Sequence, residues 1–403
     1  MQQIRNKMAE ETKKERLWNG NFIKLNVANF LLFFSFYMLM PLLPIFMSER
    51  FMADKQTIGL VLSGYTIAAL IIRPFSGYIV DSFSRKKVLM LVYGLFALFF
   101  GGYFLATSVL IFAVIRTLHG APFGATTVAN STLAIDALAS SRRTEGIGYY
   151  GLSNNIASAI APTVAMYLYV LFHNFEMLFA VSLISSCLGW VMVSSVIIKE
   201  RPPVANKQQI SLDRFFLIKG WSEAIVIALL SFSYGVISTY LAIYGKEELG
   251  ITTGTGTYFL LLSLGLMSSR IIGGRSLRKG RIVENASKGM MLSVFGYFLF
   301  AAFHNPVGYY GSAIIIGLGN GHMYPAMQNM FINLAPNSQR GTANATILTS
   351  WDLGVGLGVI LGGVLAEYFN YHAAFWIAFL GNALGVAFFF AHARQSFIRN
   401  RLR

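Results

Sequence analysis

The side chains that most need a chemical explanation are the ionisable ones set inside apolar runs. Arg116 and His119 stand three residues apart in VLIFAVIRTLHGAPFGATTVAN, His322 lies in IIIGLGNGHMYPAMQ, and Asp352 in TSWDLGVGLGV. Burying a charge in apolar surroundings is costly, so each marks a place where a proton, an anion or a partner helix is held. A carboxyl can carry a proton when its surroundings change, because desolvation disfavours its charged form and a nearby cation favours it. Asp352 is the acid at mid-depth, and is the expected proton carrier. Imidazoles switch near neutral pH, which makes His119 and His322 alternative carriers. Arg116 belongs either to that coupling set or to the recognition of a carboxylated substrate. Plainer readings stand beside these: Asp352 as polar glue between helices, and His322 as a hydrogen-bonded packing residue. Asp136 and Glu223, near helix ends, are expected to reach water. No His/Cys/Asp cluster has metal-ligand spacing, and neither G-x4-G-K-[ST] nor G-x-S-x-G occurs. No metal, cofactor or enzyme activity is therefore expected.

The elements that position these residues follow from composition. Of 403 residues 55% are hydrophobic, 14% aromatic and only 12% charged, with 38 glycines and 34 phenylalanines. Soluble chains carry roughly 25% charged residues, about twice as many, so a water-soluble body and a disordered chain are both excluded. A membrane-spanning helix needs about 20 apolar residues. Such runs occur at 22–47, 56–79, 87–106, 108–134, 147–171 and 175–198, then at 220–245, 253–274, 286–303, 308–333, 342–368 and 372–393. The expected fold is all-α integral membrane, with twelve transmembrane helices in two six-helix bundles, 22–198 and 220–393. The polar stretch 199–219 is the linker, and 1–21 and 394–403 are tails.

The net charge of +15 need not mean nucleic acid, because cytoplasmic loops of membrane proteins accumulate Lys and Arg. With the N-terminus inside, the outer loops hold Arg50, Lys55 and Lys246, while the inner loops hold Arg85, Lys86, Lys87, Arg142, Arg143, Arg278, Lys279, Arg281, Arg340 and others. Both termini are expected in the cytoplasm. The single cysteine, Cys187, excludes an internal disulfide.

The halves repeat. Arg73-x3-Gly77 recurs as Arg270-x3-Gly274, and Gly120 and Gly124 recur as Gly317 and Gly321, at one offset of 197 residues. Two repeated halves with a site between them near the bilayer midplane is a transporter plan.

One loop is more specific. Gly77-Tyr-Ile-Val-Asp81-Ser-Phe-Ser-Arg85-Lys86-Lys87 resembles the G-x-x-x-D-x-x-G-R-[RK] signature of the major facilitator superfamily, with Ser84 in place of the second glycine. The second half keeps Gly274 but has Arg278 where the acid would fall. Arg116-Thr-Leu-His119-Gly120 is similar to the R-x-x-Q-G of proton-coupled members, and Gly148, Ala157, Ala161-Pro162 follows the spacing of the antiporter signature with alanine for glycine. The chain looks most like the drug-or-metabolite:proton antiporter branch. That resemblance implies alternating access, with Gly77, Asp81, Arg85 and Lys86 as a conformational latch. It also implies Gly148, Ala157, Ala161 and Pro162 as a close-packed bend. Asn26 and Asn29 stand where exporters of this branch often carry an acid.

Helical spacing sketches a cavity wall: Asn26, Asn29, Phe33 and Tyr37; Phe123, Thr127 and Asn130; Asn154 and Asn155; Tyr234 and Ser238; Tyr324 and Gln328. Aromatics with a few polar groups suit a small amphipathic molecule. The expected function is proton-coupled export of such a molecule, with H⁺ as coupling ion, from a bacterial inner membrane. Alternatives are a proton-coupled or facilitative importer of a small organic anion, and a non-transporting membrane receptor. Expected partners are the small-molecule substrate and membrane lipid, with no nucleic acid, and the chain is expected to be monomeric.

Overall fold

The computed structural model describes residues 17–40, 42–53, 55–198, 215–251 and 255–402, so most of the expected tail 1–21 and linker 199–219 lies outside the described residues. Among those residues the chain is helical, without strands. Its twelve long helices are α1 (Gly20–Leu39), α2 (Lys55–Ser82), α3 (Arg85–Gly102), α4 (Val109–Asp136), α5 (Arg143–Phe172), α6 (Phe175–Ser194), α7 (Trp221–Glu247), α8 (Thr255–Arg278), α9 (Ile282–Ala302), α10 (Pro306–Leu334), α11 (Arg340–Tyr368) and α12 (Tyr371–Phe388). Side-chain caps set several starts: Asn19, Ser108, Asn174, Asn305 and Asn370 each accept a backbone N–H from the first turn that follows.

Nine of these helices are long and apolar enough to cross a membrane by composition alone among the described residues. The other three, α5, α9 and α10, reach spanning length with 30, 21 and 29 residues. Polar side chains dilute the apolar run of α9 and α10 but are buried in the protein: Asn285, Asn320, His322, Gln328 and Asn329. Outward, Leu91, Leu98, Leu110, Ile272, Ile360 and Leu384 are exposed, an apolar surface that lipid, not water, would cover.

Helix ends depart from the hydropathy pattern. The expected span 22–47 is two helices, α1 and a separate Leu42–Phe51, and the sequence places Pro41, which lacks a ladder N–H, between them. Helix α2 runs three residues past its apolar run to Ser82, α5 starts at Arg143 and α11 at Arg340, so that Asp81, Glu145 and Thr342 sit on helical ends. Beyond α12 the chain continues through a π-helical turn, Phe389–Ala393, into helix Arg394–Asn400, and Leu402 N donates to Asn333 O.

Within the first half α1 packs on α5 and α6, α2 on α4, and α3 on α4 and α6. Within the second, α7 packs on α11 and α12, α8 on α10, and α9 on α10 and α12. The halves meet where α2 crosses α11 and α5 crosses α8. The repeat is physical as well as textual. A Cβ on Gly120 would fall 2.1 Å from Tyr65 O, and one on Gly317 2.1 Å from Leu262 O, a contact displaced by the same 197 residues. At the end bearing the α2–α3, α4–α5, α8–α9 and α10–α11 loops, called here the basic end, the halves share a core: Ile135 and Ile147 join Leu277, Met327 and Ala343.

Candidate functional site

At the basic end, Asp81 stands at the last turn of α2 and faces the first turn of α11. Its carboxylate accepts from Gly341 N (2.9 Å), Thr342 N (2.8 Å) and Thr342 Oγ1 (3.1 Å). Unpaired N–H groups at a helix start favour an anion. The approach is close enough to require glycine on both sides: a Cβ on Gly77 would lie 2.9 Å from Gly341 O, and one on Gly341 2.7 Å from Gly77 O. Arg85 donates to Asp81 (2.6 Å), is ion-paired with Asp136, and reaches Asn337 O (3.2 Å). Arg340, fully buried, donates to Asp136 Oδ1 and to Asn337 Oδ1, both at 2.6 Å. Two acids and two arginines alternate across the two halves, so their charges cancel. Lys86 lies elsewhere, donating to Ser194 O within the first half.

Sequence reasoning missed two members of this network. Asp136, expected in water, is only 6% exposed in its side chain. Arg340 read as one more basic loop residue. The sole available signal was that both flank a short loop on the same side as Asp81. Glu223, also expected to reach water, is buried and accepts from Ser222 Oγ (2.9 Å).

The second interface carries the same device with its charges exchanged. Arg278, at the position that repeats Asp81, faces Glu145 of α5 (3.6 Å), which repeats Thr342. About two turns in, Arg270 donates to Gly148 O (3.2 Å). Asn329 of α10 and Asn344 of α11 add bridges to Thr144 O (3.2 Å) and Thr132 Oγ1 (3.0 Å).

Deeper still, Arg73 of α2 is ion-paired with Asp352 of α11 and donates to Leu348 O (3.1 Å). The side chain of Arg73 is 6% exposed and that of Asp352 20%. All these contacts between the halves lie between that pair and the basic end. Around it gather several residues of the sketched wall. Tyr324 is within coulombic reach of Arg73, Asp352 and Arg270, and Tyr37 of Tyr234 and Asp352. Tyr324 and Tyr234 both contact the Trp351 ring, at 5.2 and 5.7 Å. Facing them, the Tyr150 hydroxyl accepts from Asn130 (2.8 Å) and donates to Asn29 Oδ1 (2.7 Å), while Asn29 Nδ2 donates to Ser153 Oγ (2.7 Å). Phe33 packs on Phe123 and Tyr37. Gln328 donates to Asn344. Asn26, Thr127 and Ser238 bond to carbonyls of their own helices. Asn154 Oδ1 and Asn155 Nδ2 are buried without a partner among the described residues.

Other sequence candidates sit inside one half. Arg116 lies 3.9 Å over the Tyr65 ring and donates to the Tyr103 hydroxyl (3.0 Å), which also contacts His119 Nδ1 (2.8 Å). Phe96, Phe99 and Phe100 complete an aromatic wall around His119. His322 Nδ1 pairs with Asn285 Oδ1 (3.0 Å) between α9 and α10. Ala157 and Ala161 are fully buried in α5, which runs unbroken past Pro162. Each of these sets helices of one half against one another: α2 and α3 against α4, α9 against α10, and α1 against α5.

The comparisons agree with this architecture. The model of the Major Facilitator Superfamily matches residues 25–321 and 286–400. The chain is 25% identical over 344 residues to the staphylopine export protein of Staphylococcus aureus, covering 78% of this chain and 82% of that one. It is 24% identical to multidrug resistance protein 2 of Bacillus subtilis over 376 residues, 89% of this chain and 91% of the relative. Among solved structures, a bacterial homologue of the iron transporter ferroportin in an outward-facing state superposes with TM-score 0.77 at 15% identity, over 94% of this chain and all of that one. The chain belongs to the Major Facilitator Superfamily, and is an integral multi-pass membrane transporter.

Proposed function

We propose that the protein exports a small amphipathic molecule in exchange for protons across a bacterial inner membrane, with its basic end and both termini in the cytoplasm. The excess of Lys and Arg at that end supports the orientation. Export is supported by relatives named for staphylopine export and multidrug resistance.

The observation that carries the coupling is the Arg73–Asp352 ion pair across α2 and α11. The halves are closed at the basic end, so the central groups face the opposite end. A proton arriving there neutralises Asp352 and leaves Arg73 without its counter-charge. The α2–α11 contact weakens, the basic end opens, and the proton leaves to the cytoplasm as substrate enters. Re-formation of the pair favours closure, which carries substrate to the other side. Removing one partner of a buried pair costs about 3–5 kcal/mol, less where water reaches it, enough to bias two states that differ by a few kcal/mol.

The test is flux in proteoliposomes under an imposed pH gradient, using lipophilic cations, neutral drugs and organic anions. Asp352→Asn is expected to abolish uphill movement while sparing substrate binding. Equal wild-type flux with and without the gradient would overturn the coupling. A second reading, entry of a small organic anion, draws on Arg116, which has no carboxylate partner among the described residues. Accumulation in the direction of the proton flow would establish that reading instead.

A further inference from the structure

The two halves place an arginine at the same position and give it different company. Arg73 of α2 and Arg270 of α8 are separated by the repeat offset and are 5% and 7% exposed. Each reaches from its own half into the other. Arg73 finds the Asp352 carboxylate. Arg270 finds the carbonyl of Gly148, with its guanidinium flat against Gly151, where an added Cβ would sit 3.0 Å from both terminal nitrogens. The residue of α5 that repeats Asp352 is Asn155. The carboxylate is thus replaced by an amide, and its Nδ2 is itself buried without an acceptor among the described residues.

Arg270 therefore keeps a full charge and most of its donors without an anion. Its Nε has no acceptor, and no described carboxylate pairs with it; Glu145, the nearest acid along α5, is taken by Arg142 and Arg278. A guanidinium offers five N–H donors in a fork suited to two carboxylate oxygens. A buried cation without a counter-charge is costly, and the cost is met in the twin interface by Asp352 alone. Tyr324 lies within coulombic reach of Arg270 and leads through Trp351 to Tyr234, an aromatic path beside the charge.

Building on the transport reading, we propose that Arg270 anchors the acidic group of the substrate, a carboxylate carried on a small aromatic body. With the basic end closed, Gly148 O occupies one donor. When α8 parts from α5, that carbonyl withdraws and the substrate carboxylate takes the fork. Reclosure returns Gly148 O and lowers the affinity, so the anion is gripped from the basic end and released at the other.

The experiment uses the purified full-length protein in lipid nanodiscs and reads the rise in Tm with benzoate, 1-naphthoate and indole-3-acetate, each beside its uncharged amide. Wild type is expected to be protected by at least one of the acids and by none of the amides, since a ligand that binds only the folded state raises its stability. Arg270→Gln is expected to lose at least about tenfold in affinity for that acid, and Arg270→Lys to retain part of it. Asn155→Asp supplies an internal carboxylate, and is expected to raise the ligand-free Tm and remove the protection. Protection that survives Arg270→Gln, that appears equally with the amides, or that no acid gives to the wild type overturns the assignment. Should Arg270→Gln fail to fold, Asn155→Asp decides: lost protection supports the anchor, and surviving protection overturns it. None of these outcomes depends on proton coupling, which gradient-driven flux through Asp352 tests separately.

Discussion

Arg73 and Asp352 are each unfavourable in the membrane alone and tolerable together, and this pairing ties the chemistry of one residue to the position of the other half. Removing either should leave a buried charge without its counter-charge, whereas removing both leaves two neutral groups of similar shape. Arg73→Gln and Asp352→Asn are each expected to lower Tm, and the double variant to recover more than half of the loss. The interaction should be worth roughly 1–3 kcal/mol, reduced because the Asp352 side chain is 20% exposed. Additive losses in the double variant would show that the pair does not act as a unit. The acid was legible in the sequence because it interrupts a long apolar run. Its partner was not, since Arg73 lies near a span end and reads as part of a repeated motif. Only the crossing of α2 over α11, a contact spanning 279 residues, makes the two one site.

At the level of elements, the interfaces rest on backbone contact as much as on charge. Gly77 and Gly341 let α2 and α11 touch, and the Asp81 network is built on that approach. The signature loop singled out the α2 side of this network from residue types. The α11 side was illegible, because Gly341 and Thr342 contribute backbone N–H groups, and Arg340 its guanidinium, from a helix start that no hydropathy window locates. Gly148, on the other interface, is in a different position: an added Cβ there would meet only Leu277 Cδ1, at 3.7 Å. Gly341→Ala is therefore expected to disrupt the latch and reduce transport at least about tenfold, as overpacking by one methyl commonly costs 1–3 kcal/mol. Gly148→Ala should stay within about twofold, because its new methyl makes an ordinary contact. Measured initial rates of efflux in matched proteoliposomes check both, and equal losses would show that α2–α11 proximity has no special role.

For the whole molecule, the twelve spans, the two halves and their repeat follow from apolar run length and from glycines at one offset, because lipid imposes those constraints on every segment. What the repeat could not reveal is where symmetry fails. Asp81 against the start of α11 becomes Arg278 against Glu145, and Arg73 with Asp352 becomes Arg270 opposite Asn155 in register. In the proposed coupling, the carboxylate that takes the proton belongs to the α2–α11 crossing, and the position that repeats it in α5 holds an amide. This predicts that removing the charge of one carboxylate loosens one crossing. Asp352→Asn, which leaves Arg73 without its counter-charge, should weaken α2–α11 and lengthen the distance between spin labels placed at the basic ends of the two halves, in a Cys187→Ser background. Arg270→Gln should leave that distance in the ligand-free protein as it is in wild type, since no described acid pairs with that arginine. An unchanged distance in Asp352→Asn would move the coupling proton to another group, and Glu223, the buried acid at the start of α7, would be the next to replace.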